Sequence, residues 1–385
     1  MVTQFNNPTY YFDGNNFVPA KTLNHFDGAT WMQFWAARPD NVTTLSATAQ
    51  QKEGVTGVAN HEKIELKWDQ VESNDGGEVA SYNFERKPEG GTYSSLFTYT
   101  NPENFSYNPG AQETAYDENP IDDLAPNLPS GWSISYDSVN RTITVGWTDP
   151  GDNGVVNYYR VKAEDDNGNL SAQWDIASDE YISGLAKIRF TLERQSNSDS
   201  NIYDRNDGYG SKTIDSSTFP NNFDNQEPSF TNPAIDSANE QKESDGYATV
   251  PITWDDLIDN ASTIEITAYE AEDEEGNLNS EQASAGTVNC ESGISEIQIR
   301  YTSCATGSTT NYPASISDGT QAYQDTNAST GSGNVDITLP DQQRHYISIF
   351  AKDGAGNIEQ VDIGYIEIGD YTEPASVTTL SATAV

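Results

Sequence analysis

Ile143-Thr144-Val145-Gly146-Trp147 alternates apolar and polar residues and ends on a large ring. The same pattern stands at Ile64-Glu65-Leu66-Lys67-Trp68 and at Val250-Pro251-Ile252-Thr253-Trp254. A period of two sends successive side chains to opposite faces of a pleated strand, so each run reads as a half-buried strand with its Trp in a core. An acidic turn follows, such as Ser73-Asn74-Asp75-Gly76-Gly77 or Asp149-Pro150-Gly151-Asp152-Asn153-Gly154. A further strand comes next, such as Tyr82-Asn83-Phe84-Glu85-Arg86 or Tyr159-Arg160-Val161-Lys162-Ala163. No window sustains a 3.6-residue period with caps, so the expected fold class is all-β, a tandem array of sandwiches.

The later copies match further. Ala163-Glu164-Asp165-Asp166-Asn167-Gly168-Asn169-Leu170 parallels Ala271-Glu272-Asp273-Glu274-Glu275-Gly276-Asn277-Leu278. Ser183-Gly184-Leu185 parallels Ser292-Gly293-Ile294. Boundaries show Pro beside acidic residues, at Arg38-Pro39-Asp40, Asn119-Pro120-Ile121-Asp122-Asp123, Asn225-Gln226-Glu227-Pro228 and Tyr371-Thr372-Glu373-Pro374. Such segments stay extended and cannot complete a ladder, which suits linkers. The expected units are 1–38, 39–124, 125–226 and 227–372, with a further repeat starting in 373–385, where Val377 to Ala384 repeats Val42 to Ala49. The Ser-, Thr-, Asn- and Gly-rich stretch from Ala305 to Asn334 reads as a long surface loop or insertion that enlarges the third unit.

The first 38 residues differ from the rest. Their charged residues Asp13, Lys21, Asp27 and Arg38 cancel, and nine aromatic residues crowd them. Phe12-Asp13-Gly14-Asn15-Asn16-Phe17 recurs as Phe26-Asp27-Gly28-Ala29-Thr30-Trp31. Asp-Gly between aromatic flanks predicts two short hairpins, because the turn needs positive φ. So short a piece cannot bury that many rings itself. Phe12, Phe17, Phe26, Trp31, Phe34 and Trp35 are therefore expected to dock on a partner as an assembly anchor; a sugar-stacking platform is the other reading of the same rings.

With 60 acidic against 19 basic residues, the chain carries a net charge of −41, all of it beyond the first 38 residues. Binding phosphates needs clustered Lys and Arg, so the balance argues against nucleic acid and against anionic membrane surfaces. No apolar run is long enough to span a bilayer, and the start has neither the basic nor the apolar region of a signal peptide, so neither membrane insertion nor signal-directed export is expected. His25, His61 and His345 fall in three different units, so no His-centred catalytic or zinc site is suggested, and no phosphate-cradling Gly-rich loop opens a helix. The expectation is a non-enzymatic protein.

Hard oxygen ligands gather around tight turns at Asp165, Asp166, Asn167 and Asn169, at Asp273, Glu275 and Asn277, and at Asp353 and Asn357. Calcium takes six to eight such oxygens, while Asp, Asn and Gly also build plain turns; both readings stand for these positions. Acidic linkers such as Asn119 to Asp123 offer an inter-domain ion the same two readings. No other cofactor is expected. Cys290 and Cys304, the only cysteines, form either one disulfide or two free thiols.

These repeats resemble fibronectin type III and related bacterial immunoglobulin-like domains. The likeness is carried by Pro-x-x-Val-Thr-Thr-Leu-Ser-Ala-Thr-Ala from Pro39 and Pro374, the Trp-ended strands, the Asp-Asn-Gly turn after Trp147, and Ala351-Lys352-Asp353-Gly354-Ala355-Gly356-Asn357-Ile358. In that family the Ala-x-Asp-x-x-Gly-Asn turn closes the last hairpin, far beyond the Trp strand. Here Asp165 and Asp273 follow Trp147 and Trp254 much sooner. The N-terminal hairpin repeat resembles short repeats near the start of minor structural proteins of tailed phages. That resemblance implies a virion structural protein, a tail fibre or other appendage. Its N-terminus would join other virion structural proteins, and its sandwiches, commonly in a homo-oligomer, would project toward host-surface glycans. The alternatives are a capsid decoration fibre, a bacterial surface adhesin or extracellular filament subunit, and a non-catalytic module of a polysaccharide-degrading enzyme.

Overall fold

The computed structural model describes residues 38–53, 59–73, 79–100, 107–166, 168–206, 208, 210–243 and 246–370, together with the backbone of four strands nearer the N-terminus. Those four form two hairpins. β1 (Tyr10–Phe12) pairs with β2 (Phe17–Pro19), setting Phe12 opposite Phe17, and β3 (Thr22–Phe26) pairs with β4 (Trp31–Ala36), setting Phe26 opposite Trp31. This is the pairing the repeated Asp-Gly predicts. The side chains of the expected anchor residues Phe12, Phe17, Phe26, Trp31, Phe34 and Trp35 lie outside the described set, as do Asn167 and the repeat in 373–385.

From Arg38 the chain lays down β5 (Ser46–Gln51), β6 (His61–Asp69), β7 (Val79–Pro88), β8 (Ser94–Thr100) and β9 (Gln112–Asp117). It then moves ahead to form β10 (Ser130–Asp137) and β11 (Thr142–Thr148), and turns back for β12 (Val155–Asp165) and β13 (Asp175–Tyr181). It goes forward again with β14 (Leu185–Arg194), β15 (Ser200–Arg205) and β16 (Ser211–Asp215). The excursion then repeats. β17 (Ser229–Thr231), β18 (Ala234–Ile235), β19 (Gln241–Lys242), β20 (Tyr247–Trp254) and β21 (Asp256–Ile258) go ahead, and β22 (Ser262–Asp273), β23 (Leu278–Glu281) and β24 (Gly286–Cys290) come back. Last are β25 (Ile294–Ala305), β26 (Thr320–Asp325), β27 (Gly333–Pro340), β28 (Gln343–Asp353) and β29 (Ile358–Glu367).

The fold is all-β, and among the described residues every strand pair is antiparallel. The sheets pack into three two-layer bodies, each with one core. In the first, sheet β5-β6-β9 faces sheet β13-β12-β7-β8, and Ile64, Leu66 and Trp68 meet Tyr82, Phe84, Tyr159 and Val161. In the second, β10-β11-β16 faces β15-β14-β22 with β23 and β24 on its edge, and Ile143, Val145 and Trp147 meet Ile188, Phe190, Ile264 and Ile266. In the third, β20 with β18, β19 and β27 faces β26-β25-β28-β29. Alternation explains the layering: in β12 Val155, Asn157, Tyr159, Val161, Ala163 and Asp165 all turn inward. Trp68, Trp147 and Trp254 are all buried, as their position at the end of an alternating strand predicts.

These sandwiches are not contiguous segments, and the expected ranges 39–124, 125–226 and 227–372 need correcting. β12 pairs with β7 over nine residue pairs, Tyr159 opposite Arg86 and Val161 opposite Phe84, so residues 155–181 complete the first sandwich. β22 pairs with β14 in the same way and completes the second. The opening strands of each following sandwich, β10 and β11 and then β17 to β21, are thus inserted before the closing strands of the one behind, β12 and β13 and then β22 to β24. This explains the short spacing after each Trp. Trp147 sits in the second core, whereas Asp165 ends a strand of the first; Trp254 and Asp273 are separated likewise.

Two further expectations change. The stretch 305–334 is not wholly loop, because Ala322 and Tyr323 pack on the third core and draw β26 onto the edge of β25. The cysteines are unpaired: Cys290 is buried in the second core, while Cys304 lies ten residues up β25 in the third sandwich. A strand advances about 3.3 Å per residue, far beyond the reach of a disulfide. Burial pushes the Cys290 thiol up to about 12. Among the described residues no helix is long and apolar enough to cross a membrane.

Candidate metal centres at the sandwich junctions

Because each sandwich borrows its neighbour's span, the chain crosses each junction three times, and the crossings bring distant aspartates together. At the first junction Asp122 comes from the outward crossing after β9, Asp152 from the return crossing after β11, and Asp273 from the end of β22. At the second, Asp224, Asp259 and Asp353 occupy the same three places. In each triad one ligand oxygen from every residue lies within 4.8 Å of the others.

The third crossing supplies backbone donors. Ser183 N–H donates to Asp122 Oδ2 at 2.9 Å and Gly184 N–H to Asp152 Oδ2 at 2.8 Å. Ser292 N–H donates to Asp224 Oδ2 at 3.1 Å and Gly293 N–H to Asp259 Oδ2 at 2.6 Å. The repeated Ser-Gly is therefore a clamp. Gly184 and Gly293 have φ of 92° and 75°, a region that favours glycine. Each glycine carbonyl also accepts from the next sandwich, Gly184 from Glu274 N–H and Gly293 from Gly354 N–H.

The third carboxylate is fixed by its turn. Asp273 Oδ1 accepts from Asn277 N–H and Oδ2 from Asn277 Nδ2, both at 2.8 Å, and Asp353 is held in the same way by Asn357. The asparagine amide then reaches across the junction, Asn277 Nδ2 to the Asp122 carbonyl and Asn357 Nδ2 to the Asp224 carbonyl. Arginines brace the first crossing: Arg86 Nη1 donates to the Asn119 carbonyl, and buried Arg194 donates to the carbonyls of Pro220 and Asn222.

The sequence-derived ligand sets are thus divided. Asp273 and Asp353 enter the triads, Asn277 and Asn357 serve as turn clamps, and Glu275 is exposed. Asp165 and Asn169 make the same turn clamp in the first sandwich, beside an exposed Asp166, and belong to neither triad. Asp122 belongs to the acidic linker Asn119 to Asp123, one of the places where the sequence offers an inter-domain ion. Asp152, Asp224 and Asp259 were missed, although spacing holds the signal. Each triad has Asp four residues before Pro, at Asp122-Pro126 and Asp224-Pro228, and Asp five residues after Trp, at Asp152 and Asp259. In the first sandwich those places hold Trp35 and Ser73. Among the described side chains, the histidines do not converge: His61 lies on β6 and accepts from Ile182 N–H, and His345 lies on β28 against Ser303 and the Pro340 carbonyl.

Electrostatically the triads are under tension. Two unit charges 4.8 Å apart repel by about 3–4 kcal/mol at an effective dielectric near 20. Burial, and then the neighbouring carboxylates, push Asp152 and Asp259 up to about 6, and burial also raises Asp122 and Asp224. An Asp whose folded pKa lies above its unfolded value of 3.8 binds more protons folded than unfolded between the two. Its contribution to stability therefore falls as pH rises from about 4 to about 6 and stays low above that. In chelator, an Asp152→Asn/Asp259→Asn variant should melt close to wild type near about pH 4 and several degrees above it near about pH 7. A difference independent of pH would contradict the burial of these charges. What can relieve the tension without protonation is a hard divalent cation, since three carboxylate oxygens at this separation fit around one.

No protein-family model matches this chain, and no curated protein is significantly similar to it.

Proposed function

We propose that the chain is a non-enzymatic structural subunit of a tailed-phage virion, a tail fibre or other appendage. Its N-terminal hairpins dock on other virion proteins, and its sandwiches, in a homo-oligomer, act as spacer and contact surface for host glycans. The observation that carries the reading is the interleaving: three chain crossings at each junction tether neighbouring sandwiches, so that no single linker carries the connection. Such a tie suits a part that must transmit position and load. The net charge of −41 limits self-association along the array, and weak glycan contacts gain from many copies.

Deleting residues 1–38 tests the reading. The truncated chain should keep its thermal transitions yet fail to co-purify with particles. Normal incorporation, or location of the full chain on the bacterial cell wall instead of on particles, would overturn it.

A further inference from the structure

We infer that each junction triad is a calcium site, Asp122, Asp152 and Asp273 at the first and Asp224, Asp259 and Asp353 at the second, and that the bound ion locks successive sandwiches together. The inference does not depend on the virion reading.

Three observations converge on it. Asp259 is 8% exposed, its Oδ2 is taken by Gly293, and its Oδ1 has no hydrogen-bond partner. A buried carboxylate oxygen left without a donor is costly unless a cation meets it. Second, the ligand oxygens of each triad lie within 4.8 Å of one another, close enough for all three to reach one ion at a calcium–oxygen distance of about 2.4 Å. Third, the same constellation is built twice from segments whose intervening sequences differ, each with a linker Asp, a return Asp and a turn Asp. Asp370 stands four residues before Pro374, as Asp122 and Asp224 stand before theirs, so the first member of the set recurs where the next repeat begins.

The ligands also explain what the ion would do. Asp122 and Asp152 lie on crossings and Asp273 on the turn of the sandwich ahead, so one ion grips both crossings and that sandwich. Carboxylates that repel without it become a clamp with it. Calcium suits the site better than magnesium, because it accepts an irregular shell of carboxylates and waters, whereas magnesium sheds its waters reluctantly.

Calorimetric titration of the full, chelator-stripped chain with calcium chloride in about 0.15 M NaCl decides the matter, since that salt screens diffuse binding to surface acids. Saturable uptake of two ions is expected. Asp152→Asn and Asp259→Asn should each leave one, the double variant none, and an Asp123→Asn/Asp336→Asn surface control two. Should a variant fail to melt cooperatively in chelator, wild-type hydrogen exchange serves instead: calcium should slow the amides of Gly184 and Gly293 by about tenfold or more. No saturable uptake by wild type, uptake unchanged in the folded double variant, or equal protection from sodium chloride of matched ionic strength would overturn the assignment.

Discussion

A fragment holding only residues 39–124 will not fold. It contains one complete sheet of the first sandwich, but from the other it has β7 and β8 alone. β12 and β13 are missing, and with them Tyr159, Val161, Ala163 and Tyr181, all buried in that core. Each large apolar side chain contributes about 1.5–3 kcal/mol by burial, and β7 loses its ladder with β12 as well. The sum approaches the whole stability of an ordinary domain, about 5–15 kcal/mol. Far-UV circular dichroism on heating should show no cooperative transition. A fragment of residues 39–182 in which 123–153 are replaced by a short Gly-Ser linker should show one. The bypass is feasible because Asn157 already holds Ile121 beside the start of β12, exchanging hydrogen bonds with its N–H and its carbonyl. Cooperative melting of 39–124 by itself would mean that the sandwiches are contiguous after all.

The second large effect comes from one methyl group. Gly184 has φ of +92°, and a Cβ there would lie 2.2 Å from Asn60 Nδ2 and 2.4 Å from its Cγ. Asn60 is buried and bonds Glu274 through Nδ2, so it can give way only by releasing the turn of the second sandwich. Backbone strain and overpacking together predict a loss of about 3 kcal/mol or more for Gly184→Ala. Gly293 has the same role and a similar φ of +75°, but no atom lies within 4 Å of its hypothetical Cβ. Gly293→Ala should cost only the left-handed backbone, about 1–2 kcal/mol. Urea unfolding read at each transition checks the pair. Equal losses would show that Asn60 does not stand where the first junction places it.

The strands were legible because each obeys a local rule. Ile64-Glu65-Leu66-Lys67-Trp68 alternates, so the inward face and the buried Trp follow from the segment alone. The hairpin registers Phe12 to Phe17 and Phe26 to Trp31 follow from Asp-Gly in the same way. Which strands share a core was not legible. β12 carries an alternation that would fill either the first or the second sandwich equally well, and only pairing with β7, some seventy residues earlier, decides. One clue stood in the open, the Asp165 turn following Trp147 too soon for one domain. The triads stayed hidden for the same reason. Asp273 and Asp353 were visible in their turns, but their partners arrive on two other crossings of the chain, and adjacency there comes from interleaving rather than from spacing. Asp165 shows the converse: the turn motif is present, yet Trp35 and Ser73 stand where the linker carboxylates would be, and the motif does no more than close a hairpin.

Interleaving also joins the fold to the proposed role. A linker between contiguous domains can bend freely, whereas three crossings with shared carboxylates and backbone clamps resist bending and twisting together. Calcium at the triads would add an environmental control, the array stiffening where the ion is plentiful and loosening where it is removed.

The most direct measurement is a cut at the first crossing. A protease site inserted between Asp123 and Leu124, both exposed, can be cleaved in the folded chain and the product run on a sizing column. Interleaved sandwiches predict that the two pieces elute together and part only in denaturant, because β12 and β13 of the later piece remain paired in the first sandwich. Two separate, folded pieces eluting apart under native conditions would contradict it.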